Sequence, residues 1–101
     1  MQESDEMSDV VQKAVAALSA KFTSGFDGVA KFVIKDEGSI MVDGNGVRAG
    51  DDEADVTLTA SAEVFEAILS GDMGATGAYM TGKLKIDGSL PMAMQLGSAL
   101  A

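Results

Sequence analysis

The sequence predicts an α+β domain in which an open sheet carries helices on one side only. Three observations carry this expectation. Helical spacing of apolar residues brackets short segments of period-two alternation, in the order helix, three or four strands, two helices, strand, helix. Every strand pattern that reads cleanly has one apolar and one polar face, as in a sheet that is dry on one side and wet on the other. With 101 residues and 47% apolar content, the chain is sized for one globular domain. At that length a chain buries roughly 60–68% of its unfolded surface, enough for a modest core without staples.

Residues 1–6, with Glu3, Asp5 and Glu6, read as a flexible acidic tail. Over residues 7–23 the apolar positions Val10, Val11, Ala14, Val15, Leu18 and Phe22 recur at helical spacing. Ser8 is placed as N-cap, Asp9 suits the helix dipole, and Gly25 ends the helix with Lys21 in its last turn. Asp27-Gly28 turns the chain into a strand over 30–35, where Ala30, Phe32 and Ile34 share one face and Lys31, Val33 and Lys35 the other. Asp36-Glu37-Gly38 is a turn and 39–43 a second strand, so a hairpin is expected. In it Ile40 and Val42 face inward, and Met41 faces outward with Ser39 and Asp43. The turn Asp43-Gly44-Asn45-Gly46 leads to a short edge strand at Val47-Arg48-Ala49. After the acidic run Asp51-Asp52-Glu53, residues 54–59 alternate with Val56 and Leu58 inward.

Ser61 caps a second helix, which carries Val64, Phe65, Ile68 and Leu69 and ends at Ser70-Gly71. A shorter helix over 75–80 is weakened by Gly77 and closed by Gly82. The strand over 82–88 puts Leu84 and Ile86 on a dry face and Lys83, Lys85 and Asp87 on a wet one. In the terminal helix, 89–100, Pro91 sits in the first turn, and Met92, Leu96 and Leu100 follow at i, i+4, i+8 with Met94 nearby. That helix is placed to close an apolar cavity over the dry face of the strand before it.

Several function classes drop out on composition. There is no cysteine, hence no disulfide framework and no thiolate chemistry. There is no histidine, which removes the usual general base and the commonest metal ligand. A net charge of −9 disfavours nucleic acid, whose phosphates need clustered Lys and Arg, and adsorption on anionic membranes. No apolar run approaches the ~18 residues of a membrane span, and the acidic N-terminus is unlike a signal peptide, so the expected compartment is the cytoplasm. The stretch Gly71-Asp72-Met73-Gly74-Ala75-Thr76-Gly77 lacks the spacing of a phosphate loop. Asp43-Gly44-Asn45-Gly46 begins like a calcium loop, but Val47 and Ala54 stand where ligands belong. Asp51, Asp52, Glu53 and Asp55 read as a solvated loop rather than a cation site. The expectation is a chain without catalysis, metal or cofactor.

Four blocks together resemble the sterol carrier protein type 2 family. They are Ala54-Asp55-Val56-Thr57-Leu58-Thr59, Phe65-Glu66-Ala67-Ile68-Leu69-Ser70-Gly71, Gly82-Lys83-Leu84-Lys85-Ile86-Asp87-Gly88 and Ala93-Met94-Gln95-Leu96. The third followed by the fourth is the most specific, and the likeness covers roughly residues 10–101. The resemblance implies a five-stranded mixed, mainly antiparallel sheet with helices on one face. It also implies an apolar tunnel between sheet and helices that takes fatty acids, acyl-CoAs, phospholipids or sterols. Two departures stand out. Many members carry tryptophan in the second strand, where this chain has Met41. Peroxisomal members end in a Ser-Lys-Leu-type signal, whereas this chain ends Ser98-Ala99-Leu100-Ala101, which points to a compact stand-alone domain of bacterial type. The family also supplies accessory domains to larger proteins, so the likeness bears on fold more firmly than on function.

The chain holds seven methionines, four of them at Met73, Met80, Met92 and Met94. Methionine is flexible and polarisable, which suits a cavity that must fit chains of varied shape, although on the residues alone plain core filling is the better reading. Given the resemblance, the expected lipid-lining residues of a single domain over 7–101 are Phe65, Ile68, Leu69, Met80, Met92, Met94, Leu96 and Leu100. Gly97 weakens the terminal helix by roughly 1 kcal/mol relative to alanine, so that helix is the expected movable cover. Lys83 and Lys85 are expected on the solvent side, pairing with acids rather than holding a head group. The expected role is lipid carriage or transfer. The expected partner is a hydrophobic ligand, with no nucleic acid and no stable membrane insertion, by a monomer or weak homodimer. Two alternatives stand beside it: an interaction or dimerisation module with a collapsed cavity, and an accessory domain presenting a hydrophobic substrate to a lipid-modifying enzyme.

Overall fold

Period-two segments pair and period-3.6 segments pack on them in the computed structural model, which describes residues 9–23 and 25–100. The order is α1 (Asp9–Lys21), β1 (Ala30–Ile34), β2 (Gly38–Asp43), β3 (Gly46–Ala49), β4 (Val56–Ala60), α2 (Ala62–Ser70), α3 (Ala75–Met80), β5 (Lys85–Gly88) and α4 (Leu90–Leu100). The acidic tail, the Ser8 cap and Ala101 lie outside the described residues.

The five strands form one sheet in the order β3-β2-β1-β4-β5. β1 and β4 pair in parallel and the other neighbours antiparallel. The register aligns the apolar face across the sheet: Ala30 lies between Val42 and Val56, and Phe32 between Ile40 and Leu58, with Ile86 beyond Leu58. A one-residue slip would move the whole row to the other face, so the burial of this row specifies the register. The helices cover that face. α1 lies against β2 and β3 and also touches α2; α4 lies against β4 and β5, with α3 beside it. Phe32 and Phe65 meet edge to face at 5.8 Å and tie α2 to the centre of the sheet.

Capping follows the sequence signals. The Ser61 hydroxyl accepts from the Val64 N–H at 3.2 Å, and Gly71 closes α2 in the left-handed region at φ 89°. In α4 the Ser89 carbonyl accepts from Ala93 N–H at 3.0 Å, and Pro91 stands among donors that have no helical partner in any case. β5 is shorter than the sequence pattern suggests. The Lys83 and Leu84 N–H groups turn back to the Ala78 carbonyl at 2.8 and 3.0 Å, which terminates α3 and withholds them from the ladder.

Two features of the sheet were not visible in the alternation. Met41 is completely buried, not outward and wet. Its cross-strand neighbours on the outer face are Lys31 and Arg48, and these are drawn into ion pairs with Asp51 at 2.8 Å and Asp43 at 2.9 Å. The chain after β3 returns over the same spot, so that a Cβ on Gly50 would stand 3.2 Å from Met41 Cγ. The outer face is thus locally roofed by a loop and two aliphatic stems. Asp55 does more than face solvent. Its carboxylate accepts from Val29 N–H at 3.1 Å, its own N–H donates to the Val29 carbonyl, and its carbonyl accepts from Ser89 N–H. These bonds tie the entrances of β1, β4 and α4 together. Gly88 is pressed against this knot at φ 99°, where any Cβ would collide with the Asp55 carbonyl oxygen.

Candidate functional site

α3 is only six residues long, and among them Ala78 alone is buried. A helix this short cannot fill the space beside α4, and each helix sets small residues among those that border that space: Ala75 on α3, Ala93 and Gly97 on α4. The result is a hollow of about 290 Å³ between α3, α4 and the inner face of β4 and β5. Leu58, Leu84 and Ile86 make its floor, and Thr76, Tyr79, Met80, Leu90 and Met94 its sides. Among the described residues no charged one borders it. The side-chain polar groups of the lining are the Thr76 and Tyr79 hydroxyls.

The exposure pattern singles out this hollow. The large apolar side chains left exposed among the described residues are Tyr79, Met80, Leu90 and Met94, and all four stand on its rim. Met80 and Met94 are 78% and 74% exposed. Scattered single apolar residues on a surface need no explanation, whereas a ring of them around an apolar hollow marks a binding surface.

The residues expected to line one cavity are divided by the structure. Met80 and Met94 border the hollow at α3 and α4. Phe65 and Leu69 border a groove of about 350 Å³ between α1 and α2, which also has Lys13 and Glu66 on its edge. Ile68 and Leu100 border a smaller hollow of about 180 Å³, with Met73, Gly71, Gly74 and Ala75. Met92 packs against the core, its Cε filling the space that a Cβ on Gly28 would take. Leu96 is completely buried in the core. Leu96 and Leu100 anchor α4, and at roughly 1.5–3 kcal/mol for each buried side chain they hold it with about 3–6 kcal/mol.

Sequence reasoning placed a cavity over Leu84 and Ile86 but passed over Tyr79, Leu90 and the small residues that border it. One signal was available: Ala93 and Gly97 lie four apart on α4, so that helix carries a strip of small residues on the face turned to α3. The chemistry of the site is partition. An apolar chain entering it leaves water at roughly 0.8 kcal/mol per buried methylene. Among the described residues no carboxylate or cation lies in the wall to act on it, and no cluster of His, Cys, Asp or Glu could hold a metal.

The SCP-2 sterol transfer family matches residues 8–101. Among curated proteins, the chain is 37% identical over 93 residues to human hydroxysteroid dehydrogenase-like protein 2, covering 91% of this chain and 21% of that protein. It is 30% identical over 96 residues to human sterol carrier protein 2, covering 85% of this chain and 18% of that protein. The chain therefore spans about a fifth of the length of the curated relatives it matches. Among solved structures, the solution structure of sterol carrier protein 2 from Aedes aegypti, a complex with the C16 fatty acid palmitate, has the same fold. It superposes with a TM-score of 0.76 at 23% identity and covers 94% of this chain and 97% of that one.

Proposed function

The chain belongs to the SCP-2 sterol transfer family, and on that premise we propose that it carries a lipid whose apolar chain enters the hollow between α3, α4 and β5. The observation behind this reading is the ring of Tyr79, Met80, Leu90 and Met94 around an uncharged apolar hollow. The volume, about 290 Å³, falls just below the ~300–1,000 Å³ usual for ligand pockets. A long acyl chain is accommodated in full when α4 shifts outward. In this reading Met80 and Met94 adapt to the ligand, Leu96 and Leu100 hold α4, and the Thr76 and Tyr79 hydroxyls meet its polar end. The domain itself catalyses nothing and needs no cofactor. Lack of cysteine and histidine supports this, and lack of cysteine also suits a reducing compartment such as the cytoplasm.

The test is displacement of a fluorescent fatty acid by saturated fatty acids of increasing length. Affinity rises about fourfold per methylene, from 0.8 kcal/mol each, until the hollow is full, then levels off. Ala93→Phe, which fills the hollow from α4, moves the plateau to shorter chains or abolishes binding. A flat series, or a series unmoved by Ala93→Phe in a folded protein, refutes the site.

A second reading has one observation in its favour. The curated relatives are about five times longer than the matched segment, so the domain also suits presentation of a hydrophobic substrate inside a larger enzyme. Transfer of lipid between vesicles by this 101-residue chain alone separates the two.

A further inference from the structure

Where α3 meets α4, the chain sets two of its smallest residues against each other. Ala75 opens α3 and Gly97 lies inside α4, and a Cβ on Gly97 would meet the Ala75 Cβ at 3.5 Å. Ala75 borders two hollows at once, the one of about 290 Å³ and the smaller one of about 180 Å³. The order of the lining residues puts these two end to end. Along α4, Ala93 and Gly97 border the first, and Leu100, three residues on, borders the second. On the other wall the order reverses: Met73 borders the second, and Tyr79 and Met80 the first. Both successions change over at the contact of Ala75 with Gly97. The partition between the hollows is therefore one methyl group against one glycine.

Glycine also surrounds the moving side of that contact. Gly74, just before α3, and Gly77, inside it, have open space where a Cβ would stand, so packing demands glycine at neither. Each adds backbone freedom to a helix of only six residues. Gly97 fits the same pattern: α4 forgoes roughly 1 kcal/mol of helix propensity there, and any side chain would thicken the partition. Beyond the neck the second hollow is apolar. Ile68, Met73 and Leu100 supply its large side chains, and among the described residues no charged one borders it. Met73 is half-buried, and its unbranched side chain makes an adaptable end wall.

From this arrangement we propose that the tail of a flexible single-chain lipid passes between Ala75 and Gly97 into the second hollow, so that the site takes long acyl chains and turns away rigid fused-ring sterols. Neither hollow alone reaches the ~300 Å³ at which ligand pockets usually begin, whereas the two together exceed it. An acyl chain is one methylene wide and bends at every carbon, so it threads such a neck once α3 eases from α4. A fused-ring body is wider and does not bend, which leaves it the first hollow only. The crossing rests on the lipid-carrying reading and adds to it the class of lipid and the path of its tail.

The experiment is displacement of a fluorescent fatty acid from the full chain by saturated fatty acids, decanoate and palmitate among them, and by cholesterol delivered from cyclodextrin. In the parent, palmitate binds more tightly than decanoate, and cholesterol displaces the probe no better than decanoate. Ala75→Leu fills the neck. Each methylene shut out costs about fourfold, so palmitate weakens by about sixteenfold for two, while decanoate, held in the first hollow, stays within about twofold. Met73→Ala enlarges the second hollow from its end and moves the chain length at which affinity levels off upward, again without effect on decanoate. Ala17→Leu adds the same bulk to the separate groove between α1 and α2 and changes neither acid. Equal weakening of both acids by Ala75→Leu, a palmitate loss as large from Ala17→Leu, a plateau that Met73→Ala leaves in place, or cholesterol binding as tight as palmitate overturns the crossing. If Ala75→Leu does not fold, Met73→Ala and the cholesterol comparison still decide. A parent that gains affinity with chain length but shows none of these shifts keeps the lipid-carrying reading and loses the crossing. A parent that binds no fatty acid loses both.

Discussion

Gly97 offers the sharpest check on α4 as a cover. It stands inside the helix Leu90–Leu100, where glycine costs roughly 1 kcal/mol relative to alanine. Nothing in its surroundings demands glycine on steric grounds: a Cβ there meets its nearest neighbour, Ala75 Cβ, at 3.5 Å, an ordinary contact. Gly97→Ala therefore stabilises the domain by about 1 kcal/mol, which raises Tm by about 4–8 °C for a domain near this size. If ligand uptake requires α4 to loosen, the same increment slows uptake about fivefold, since 1.36 kcal/mol is tenfold in rate. Thermal unfolding by circular dichroism reads the first effect, and stopped-flow mixing with a fluorescent fatty acid reads the second. Gly97→Leu adds bulk to the wall of the hollow and shortens the longest acyl chain that still gains affinity. A higher Tm with an unchanged uptake rate would refute α4 as the cover. An unchanged or lower Tm would refute the helical packing against Ala75.

Gly88→Ala combines a left-handed backbone with a collision against the Asp55 carbonyl, and it should cost about 2–4 kcal/mol in urea unfolding; a loss below 0.5 kcal/mol, the scale of a neutral surface change, would contradict the knot at Asp55. The Arg48 guanidinium bonded to Asp43, with the Asn45 N–H second, holds the Asp43 carboxyl below the usual carboxylate range. Because its folded pKa is the lower one, its contribution is full above the ordinary carboxylate range and is lost as pH falls through the depressed value. Arg48→Ala should flatten the acid limb of a stability–pH curve and leave its slope near neutral pH unchanged.

The helices were legible because their signals are local. Ser61, Gly71 and Pro91 act within a turn of themselves, and the apolar spacing of α1 or α2 needs no knowledge of the partner surface. The dry face of the sheet was legible for the same reason, since Phe32 and Ile34, or Val56 and Leu58, alternate within one strand. Met41 was not. Its burial depends on Gly50, Asp51 and Arg48, which reach it only after the chain has turned back twice. A cavity under α4 was legible, but the division of its expected lining among three hollows was not. Phe65, Ile68 and Leu69 are neighbours on one helix, yet Ile68 opens to a different hollow from the other two because α1 and α4 approach α2 from different sides.

Alone, then, the sequence determined which segments are helix or strand, which strand face is dry, and the family likeness carried by Gly82-Lys83-Leu84-Lys85-Ile86-Asp87-Gly88 and Ala93-Met94-Gln95-Leu96. Only the tertiary structure decided that the parallel pairing of β1 with β4 puts β5 at an edge, and that the cavity expected under α4 takes its other wall from the six-residue α3. The reason is physical. Periodicity records how one element treats water, whereas a cavity is volume left over when several elements of unequal length pack together, and no single segment encodes that remainder.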